Sequence, residues 1–331
     1  ISIAFTKELL DERKSQRLMA ERLECRHHEI DLGIGGIESR LRSVVRHCEC
    51  PLKESYDTAS LALSAAARRH GIPVVLSGEG ADELFAGYIG YRYDAFRRAR
   101  GMPAPLTGRE AELRRRLWGD QSIFYENQLS QHETLRKSLY SPALRALFED
   151  FEFSRYRILD PQRLAGIHPL HQRSYLDMKL RLADHLLGDH GDRMLLANSV
   201  EGRFPFLDVE VADLARRMPP DLKLRGFEEK HILKAIGRKH LPQAIVDREK
   251  YAFNAPGSPD LLRSGIGWVE ELLSAETIRR QGYFDPAAVE TLKQRFRHPD
   301  FTLAGSSDED LIMIVLTFGI FLEVFDMPHL G

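Results

Sequence analysis

The chain has 331 residues, of which 43% are hydrophobic and 29% charged, as expected of a globular protein that can bury a substantial core. The formal net charge of -2 and the interspersed signs give no basic field, so nucleic acid is not an expected partner. The three cysteines, Cys25, Cys48 and Cys50, are odd in number and show no zinc-ligand spacing, so we expect reduced thiols and a cytoplasmic location.

The first ninety residues alternate strand and helix patterns. Strand patterns cover residues 1–5, 26–32 and 73–76, and helix patterns cover 11–23, 37–47 and 57–70. Strands joined by helices of this length need right-handed crossovers, so we expect one parallel sheet covered on both faces. The third strand has the length and branching of an interior strand. The glycine-rich stretch at 33–36 lacks the residues that complete a phosphate loop and predicts a plain turn.

The remainder of the chain predicts helices only. Helical patterns follow one another at 109–135, 142–148, 170–187, 191–199, 209–218, 230–239 and 287–296, and residues 311–325 predict a core helix. This last run is apolar but interrupted by Thr317, Gly319 and Glu323, so no membrane partner is expected. The loop at 100–105 is expected to be mobile.

The expected organisation is therefore one domain over 1–331. It has an α/β part at 1–93 and a large helical lobe at 94–331.

The third strand runs into a glycine loop at 77–80 and then into an acidic helix start. Ligands of open α/β sheets sit beyond the carboxyl ends of such strands, so this loop predicts the floor of a nucleotide site. Gly78 and Gly80 allow the backbone to approach a ligand closely, and the N–H groups of the following helix favour phosphate or carboxylate. Asp82 and Glu83 either complement the helix dipole, or Asp82 holds Mg²⁺ on a polyphosphate.

Two further clusters place charged residues around apolar turns. One runs from Asp192-Arg193-Met194 to Asn198-Ser199-Val200-Glu201-Gly202-Arg203-Phe204-Pro205-Phe206-Leu207-Asp208, and the other from Glu229-Lys230-His231-Ile232-Leu233-Lys234 to residues 246–253. Together with Ser77-Gly78-Glu79-Gly80-Ala81-Asp82-Glu83, they resemble the C-terminal synthetase domain of the glutamine-hydrolysing asparagine synthetase B family. Members carry S-G-E-G-[SA]-D-E-x-F-x-G-Y, then V-E-x-R-x-P-F-L-D, then E-K-x-x-L and R-x-K. The resemblance covers nearly the whole chain in the same order.

The resemblance implies an α/β fold with a parallel sheet, the adenine-nucleotide alpha-hydrolase-like fold of the pyrophosphate-loop ATPases, followed by a large helical C-terminal lobe. Two family features are not found in this sequence. One is the S-G-G-x-D-S pyrophosphate loop, which in the family lies just upstream of the strand matched by residues 1–5. The other is the N-terminal glutaminase domain with its nucleophilic cysteine. Because the chain opens without Met inside a strand pattern, we expect it to be a piece of something longer, with that upstream segment and glutaminase domain as its partners.

The implied activity is a two-step amide synthesis. An aspartate side-chain carboxylate attacks the α-phosphorus of ATP and releases pyrophosphate, and ammonia from glutamine then displaces AMP. In this assignment Lys250 stabilises the charge at phosphorus and Glu79 accepts a proton from the attacking nitrogen. Related lactam-forming synthetases have Tyr at the position of Glu79, which favours ammonia as the nucleophile here. The plainer interpretations are a solvated lysine and a loop carboxylate bonded to neighbouring N–H groups.

The resemblance also implies the remaining site residues. Asp82 would bind Mg²⁺, and the ATP site would include Ile3, Ser77, Gly78 and Gly80. Arg193 and Lys230 are further candidates for charge contacts with substrate or phosphate. The expected cofactors are ATP and Mg²⁺, the expected substrates are a carboxylate and ammonia, and a homodimer is one expected assembly. Two alternatives stay open: an amide or lactam synthetase of the same family, similar to β-lactam synthetase or lasso-peptide cyclase, and a non-catalytic scaffold.

Overall fold

The chain builds two short parallel sheets. The computed structural model describes residues 1–6, 11–102, 106, 108–121, 125, 128–148, 155–248, 255–303 and 309–330. Strand β1 (Ser2–Phe5) pairs with β2 (Glu29–Leu32) in register from Ser2 opposite Glu29 to Phe5 opposite Leu32. This parallel pairing confirms the expectation for the first two strands. The apolar side chains of β1 are buried with those of the neighbouring helices.

The third strand lies in a separate sheet, which corrects the expectation of one sheet. Strand β3 (Val74–Leu76) pairs in parallel with β4 (Glu201–Arg203), and among the described residues these two strands form a sheet of their own. Leu76 is 73% exposed, so β3 is not the interior strand that its sequence suggested. The pattern missed β4 because Glu-Gly-Arg is short and polar, with no apolar alternation to mark it as a strand.

In the described residues before β3, three helices accompany the first sheet. They are α1 (Arg13–Arg22), α2 (Ile34–Cys48) and α3 (Asp57–Arg69). Helix α2 begins inside the glycine-rich stretch, so residues 34–36 form its first turn and the expectation of a plain turn there was wrong. Gly33 takes an extended backbone at the N-cap, and the N–H groups of Gly36 and Ile37 donate to its carbonyl.

The later part of the described chain is mainly helical. Its helices are α4 (Ala81–Phe85), α5 (Ile89–Ala99), α6 (Gly108–Trp118), α7 (Leu129–Leu139), α8 (Pro142–Phe148), α9 (Pro161–Leu164), α10 (Pro169–Asp177), α11 (Met194–Leu196), α12 (Val209–Arg217), α13 (Pro220–Lys223), α14 (His231–Gly237), α15 (Gln243–Val246), α16 (Ser258–Arg263), α17 (Gly267–Leu272), α18 (Ala275–Gln281), α19 (Pro286–Arg297) and α20 (Leu311–Val324). A π-helical segment, Met178–Arg193, joins α10 to α11 and is called the π segment below. A 3₁₀ turn, Pro205–Leu207, follows β4.

Three of the expected helices are divided or joined differently in the structure. The pattern at 109–135 is two helices, α6 and α7, because the chain turns at Gly119, whose φ is +78°. The patterns at 170–187 and 191–199 merge into one rod made of α10, the π segment and α11. Of the loop expected to be mobile, residues 103–105 lie outside the described part of the chain. Residues 100–102 close α5 and are exposed.

The largest core lies where α20 packs along α2. Most of α20 is buried, as the sequence predicted, and its interior includes Ile312, Met313 and Ile320. The Thr317 hydroxyl accepts a hydrogen bond of 2.8 Å from the Leu52 N–H, which ties the chain after α2 to this helix. Within the part of the chain that the structure describes, no helix combines the length and apolar character needed to cross a bilayer.

Candidate functional site

The glycine loop continues the β3–β4 ladder. The Ser77 N–H donates to the Arg203 carbonyl at 2.9 Å, which extends the pairing of the two strands by one residue. The Ser77 hydroxyl then donates to Glu79 Oε1 at 3.4 Å. The Glu79 side chain is half-buried at the carboxyl end of β3. This is the edge of a parallel sheet where ligands of α/β proteins bind.

The two glycines of the loop have different roles. Gly80 has φ +91°, and a Cβ there would collide with the Leu207 side chain of the 3₁₀ turn. The Leu207 side chain therefore lies close to Gly80, which corrects the expectation that a ligand approaches there. A Cβ at Gly78 would meet nothing within 4 Å, and this residue is exposed. Gly78 is thus the loop glycine that leaves room for a bound group.

The acidic helix start is a single turn. Helix α4 has five residues and ends at Ala86, which adopts a left-handed backbone with φ 58°. The Gly87 N–H returns to the Asp82 carbonyl at 2.8 Å and closes the turn. A side chain at Gly87 would overlap both the Asp82 carboxylate and the Lys230 side chain. Glycine is required here because these two side chains meet above it.

Asp82 and Lys230 form an ion pair beside the loop. Lys230 Nζ lies 2.6 Å from Asp82 Oδ1, and both side chains are largely buried. Lys230 precedes α14 with φ 50°, a left-handed conformation that costs a non-glycine residue of order 1–3 kcal/mol. Its N–H donates to the Phe85 carbonyl at 3.2 Å, so the strained residue is fixed to the end of α4. The first and third sequence motifs are thereby joined in one place.

The Asp82 carboxylate is suited to a cation that binds phosphate oxygens at the same time. Among the described residues, no group of three or more His, Cys, Asp or Glu side chains is placed to hold a metal ion. Mg²⁺ commonly binds through one or two carboxylates together with substrate phosphate oxygens and water. The half-buried Asp82 carboxylate already holds one cation, the Lys230 ammonium, and is chemically suited to Mg²⁺ that arrives with a nucleotide.

Glu83 is a buried acid whose structural role the sequence did not reveal. Only 1% of the residue is exposed, and its carboxylate accepts a hydrogen bond of 2.5 Å from the Tyr88 hydroxyl. Burial raises the pKa of Glu83 to about 7, although the hydrogen bond from Tyr88 opposes this. Its backbone carbonyl accepts a hydrogen bond of 2.6 Å from the Ser174 hydroxyl. The N-terminal turn of α4 is thereby anchored to α10.

Arginines and aromatic rings form a second layer behind Tyr88. The Arg181 guanidinium lies 4.9 Å from the Tyr88 ring centre and donates to the Tyr125 hydroxyl at 2.8 Å. Arg173 is 1% exposed and donates to the buried Asp177 carboxylate at 2.9 Å. Such a buried pair needs full hydrogen bonding to offset its desolvation. The layer fixes α10 and the π segment against α4.

The second motif does not form one ion-pair network. Glu201 and Arg203 pair with each other at 2.8 Å on exposed positions of β4. Asp208 instead caps α12, since its carboxylate accepts from the Glu210 N–H at 2.9 Å. Glu201 and Arg203 therefore pair only with each other in these contacts, and Asp208 serves as a helix cap.

The remaining candidates lie in different places. Ile3 is 4% exposed and packs with Phe5 and Leu32 in the first sheet, whereas Ser77 and Gly78 follow the second. Arg193 pairs with Asp189 at 3.3 Å and donates to the Cys48 carbonyl, so its contacts are at the end of α2. Lys250 lies outside the described residues.

The chain that follows the Lys250 region is held by hydrogen bonds at the starts of two helices. The Ser55 hydroxyl, just before α3, donates to the Pro256 carbonyl at 2.7 Å. The Asp310 carboxylate accepts a hydrogen bond of 2.8 Å from the Ser258 N–H, and a further one from its hydroxyl. Residues 255–258 are therefore fixed both to the start of α3 and to the start of α20.

Comparisons with known proteins support one family. The family model described as asparagine synthase matches residues 1–320. A protein named amidase chyE from Penicillium rubens is 27% identical over 328 residues, which cover 88% of this chain and 48% of that protein. One named amidase chry2 from Gibberella zeae is 26% identical over 315 residues, 83% of this chain and 46% of the relative. One named asparagine synthetase [glutamine-hydrolyzing] 1 from Bacillus subtilis is 29% identical over 260 residues, 71% of this chain and 39% of the relative. The chain thus spans less than half the length of these relatives.

Proposed function

Because the chain belongs to the asparagine synthase family, we propose that it carries the synthetase site of an ATP-dependent amide-forming ligase. In this reaction a carboxylate oxygen attacks the α-phosphorus of ATP, and pyrophosphate leaves with the bonding electron pair. Ammonia then attacks the acyl carbon, AMP leaves, and the amine nitrogen loses a proton. The first substrate is the aspartate side-chain carboxylate, and the ammonia is derived from glutamine.

The observation that carries this proposal is the ion pair of Asp82 and Lys230, two residues after the glycine loop ends. A cation held in advance at a half-buried site stabilises charge that develops on phosphate, without reorganisation during the reaction. Lys230 keeps a strained backbone at this position, and backbone strain concentrates at functional sites.

The residues of the site then have separate roles. Asp82 would hold Mg²⁺ together with the nucleotide phosphates, whose charge the metal would neutralise. Lys230 contacts the phosphates, and Lys250 supplies a further cation that stabilises the charge at phosphorus. Ser77, Gly78 and Gly80 shape the loop under the nucleotide, and Ile3 lines the adenosine side. Glu79 takes the proton from the attacking nitrogen, as a carboxylate beside the acyl carbon can do.

A second candidate is amide formation on another carboxylate. Two of the relatives named above are called amidases rather than asparagine synthetases, and their identity to this chain is similar to that of the bacterial synthetase. This supports a family role in which the carboxylate varies while the adenylation chemistry stays the same. Cytoplasmic location and assembly as a homodimer stay predictions.

The proposal is tested by measuring the two half-reactions separately on the natural protein that contains this chain. Exchange of labelled pyrophosphate into ATP reports adenylation, and amide release reports the attack by ammonia. Asp82→Asn should lower both by about 10²-fold or more, because it removes the carboxylate that would hold Mg²⁺ on the nucleotide phosphates. Glu79→Gln should preserve exchange and lower amide formation by about 10²-fold, the usual effect of losing a positioned base.

Glu323→Gln is the matched control, since Glu323 is an exposed carboxylate paired with Arg42 on α2. It should leave both half-reactions unchanged. Equal loss of both half-reactions in Glu79→Gln would assign Glu79 to binding instead. Undiminished exchange in Asp82→Asn would refute the role of the Asp82 and Lys230 pair.

A further inference from the structure

The ammonium of Lys230 occupies the carboxylate oxygen that a metal ion would use. Lys230 Nζ lies 2.6 Å from Asp82 Oδ1, and only 24% of the lysine side chain and 18% of the aspartate side chain are exposed. A Cβ at Gly87 would overlap this same Oδ1 atom and the last methylene carbon of Lys230. The Gly87 backbone and the ammonium therefore crowd one oxygen of Asp82 together.

The backbone holds both partners of this pair in place. The Asp82 carbonyl accepts from the Gly87 N–H at 2.8 Å, and the Lys230 N–H donates to the Phe85 carbonyl at 3.2 Å. The two residues thus stay close whatever their side chains do. Lysine has a flexible four-carbon stem and three rotatable donors, so a change of its side-chain torsions alone can move the ammonium away from Asp82.

A second lysine, one helical turn further along α14, serves a different acid. Lys234 Nζ lies 2.8 Å from Glu229 Oε1, and Arg92 lies 4.0 Å from the other oxygen of the same carboxylate. Glu229 is 5% exposed, so this pair is at least as buried as that of Asp82 and Lys230. The chain therefore offers an internal comparison, in which the same type of ion pair keeps a further cation when its lysine is removed.

Two cations cannot share the crowded Asp82 oxygen at low cost. Mg²⁺ binds carboxylate oxygens at about 2.0–2.1 Å and gives up its water reluctantly. An ammonium within a few ångströms of a divalent ion in a half-buried place is strongly repelled. A free metal ion would have to displace Lys230 from Asp82, and the ammonium would lose its carboxylate. When the metal comes with phosphates, a phosphate oxygen can accept a charge-assisted hydrogen bond from the displaced ammonium.

We propose that Lys230 excludes free divalent cations from Asp82, so that the site takes its metal only together with the phosphates of a nucleotide. This inference rests on the proposed function and gives Lys230 a role in specificity besides its contact with phosphate. On binding, Lys230 releases Asp82 Oδ1 to the metal and donates to a phosphate oxygen instead, and no proton changes place. Metal and nucleotide therefore strengthen the binding of each other, and this coupling is reciprocal.

The test measures Mn²⁺ binding to the natural protein that contains this chain, with and without ATP and with no carboxylate substrate present. The electron paramagnetic resonance signal of free Mn²⁺ reports binding, and comparison with Asp82→Asn isolates the part that depends on Asp82. In the unaltered protein we expect this part only when ATP is present. Lys230→Met should bind Mn²⁺ alone at least 10-fold more tightly than the unaltered protein, and the added substitution Asp82→Asn should abolish the gain.

Lys234→Met is the matched control and should gain no Mn²⁺ binding, because Glu229 keeps Arg92. Lys230→Gly is a second variant without the ammonium, and it relieves the left-handed backbone should Lys230→Met fail to fold in a thermal melt. No gain in either Lys230 variant, an equal gain in Lys234→Met, or Mn²⁺ binding at Asp82 that needs no ATP in the unaltered protein would overturn the inference alone. If ATP adds no binding that depends on Asp82, the role of Asp82 in the proposed function fails as well.

Discussion

At the scale of single residues, the candidate site depends on one strained lysine. Lys230 stands between α4 and α14 with φ 50°, although a glycine would adopt this conformation without steric cost. The side chain is held at Asp82 and the backbone at Phe85. Strain of this kind persists only where surrounding contacts determine it. The identity of residue 230 is therefore better explained by its ammonium group than by the stability of the turn.

Lys230→Gly should separate the effect of the ammonium group from the effect of the strained backbone. We expect it to stabilise the fold relative to Lys230→Ala by about 1 kcal/mol, since both variants lack the ammonium but only glycine relieves the left-handed backbone. Both variants should lower pyrophosphate exchange by about 10²-fold or more through loss of a charge aimed at phosphate. Denaturant titration and exchange assays measure the two effects.

Lys234→Met provides the control for this pair of variants. Lys234 lies one turn further along α14 and pairs with Glu229 at 2.8 Å. It should leave exchange intact. Exchange that survives in both Lys230 variants would assign Lys230 to packing, whereas equal stability of the two variants would show that the backbone at residue 230 is unstrained in solution.

At the scale of elements, sequence patterns located most helices but not the points where they break. Pro142–Phe148 and the apolar α20 were expected at nearly these bounds because proline or continuous apolar residues mark them locally. The break after Trp118 depends instead on a distant residue. Gly119 turns the chain with φ +78° because the Pro161 ring occupies the space where a Cβ would lie. The helical pattern at 109–135 runs across Gly119 and cannot reveal the contact with Pro161, because Pro161 is distant in the sequence.

Gly119→Ala should therefore destabilise the protein more than a glycine with the same backbone in open space. We expect a loss of about 2–4 kcal/mol, from the left-handed backbone together with the clash against Pro161. Gly101→Ala is the matched control, since Gly101 has φ +60° and a Cβ there would meet nothing within 4 Å. The control should lose only about 1 kcal/mol. Equal losses in denaturant titrations would show that the Pro161 contact contributes nothing.

In the site too, features that local sequence motifs mark could be predicted, whereas features that depend on distant residues could not. The loop at 77–80, Asp82 and Lys230 could be found from sequence because their motifs are long and local. The pairing of β3 with β4, the filling of Gly80 by Leu207 and the contact of Glu83 with Tyr88 could not, because each depends on chain folding or on residues outside the loop. The contacts of His185 and His190 with Tyr56 were missed for a further reason. The two histidines are five residues apart and share a face because this segment is π-helical, and the sequence pattern predicted a helix there without indicating its type.

At the scale of the whole molecule, the chain before α3 is connected to the largest core through Asp310. This carboxylate caps α20 by accepting from the Met313 N–H at 3.0 Å, and it also accepts from Ser258, two residues after the Pro256 carbonyl that binds Ser55. One buried acid thus links the core of α2 and α20 to the start of α3. Burial raises the pKa of Asp310 to about 6, although its hydrogen bonds oppose the shift.

The raised pKa of Asp310 fixes the sign of a pH effect on stability. Between about pH 4 and pH 6 the folded chain holds this proton while the unfolded chain has released it, so the contribution of Asp310 to stability falls as pH rises through this window. A shift from 3.8 to about 6 corresponds to roughly 3 kcal/mol. Asp310→Asn cannot titrate, so the free energy of unfolding of the unaltered protein relative to this variant should decline by about 2–3 kcal/mol from pH 4 to pH 7.

Asp213→Asn is the opposing control in these denaturant titrations. Asp213 is exposed, and hydrogen bonds from Arg216 together with the charge of Arg217 hold its pKa below the ordinary value. Its contribution to stability should therefore be present above the ordinary Asp pKa of 3.8 and be lost as pH falls below it, so the Asp213→Asn difference should not decline from pH 4 to pH 7. A difference curve for Asp310→Asn that stays flat across pH 4 to 7 would mean that the carboxyl is ionised throughout. Asp310 would then link the core of α20 to the segment around Ser258 as an ionised carboxylate. The hydrogen bonds donated by Ser258 and Met313 would be strong enough to offset the cost of burying its charge.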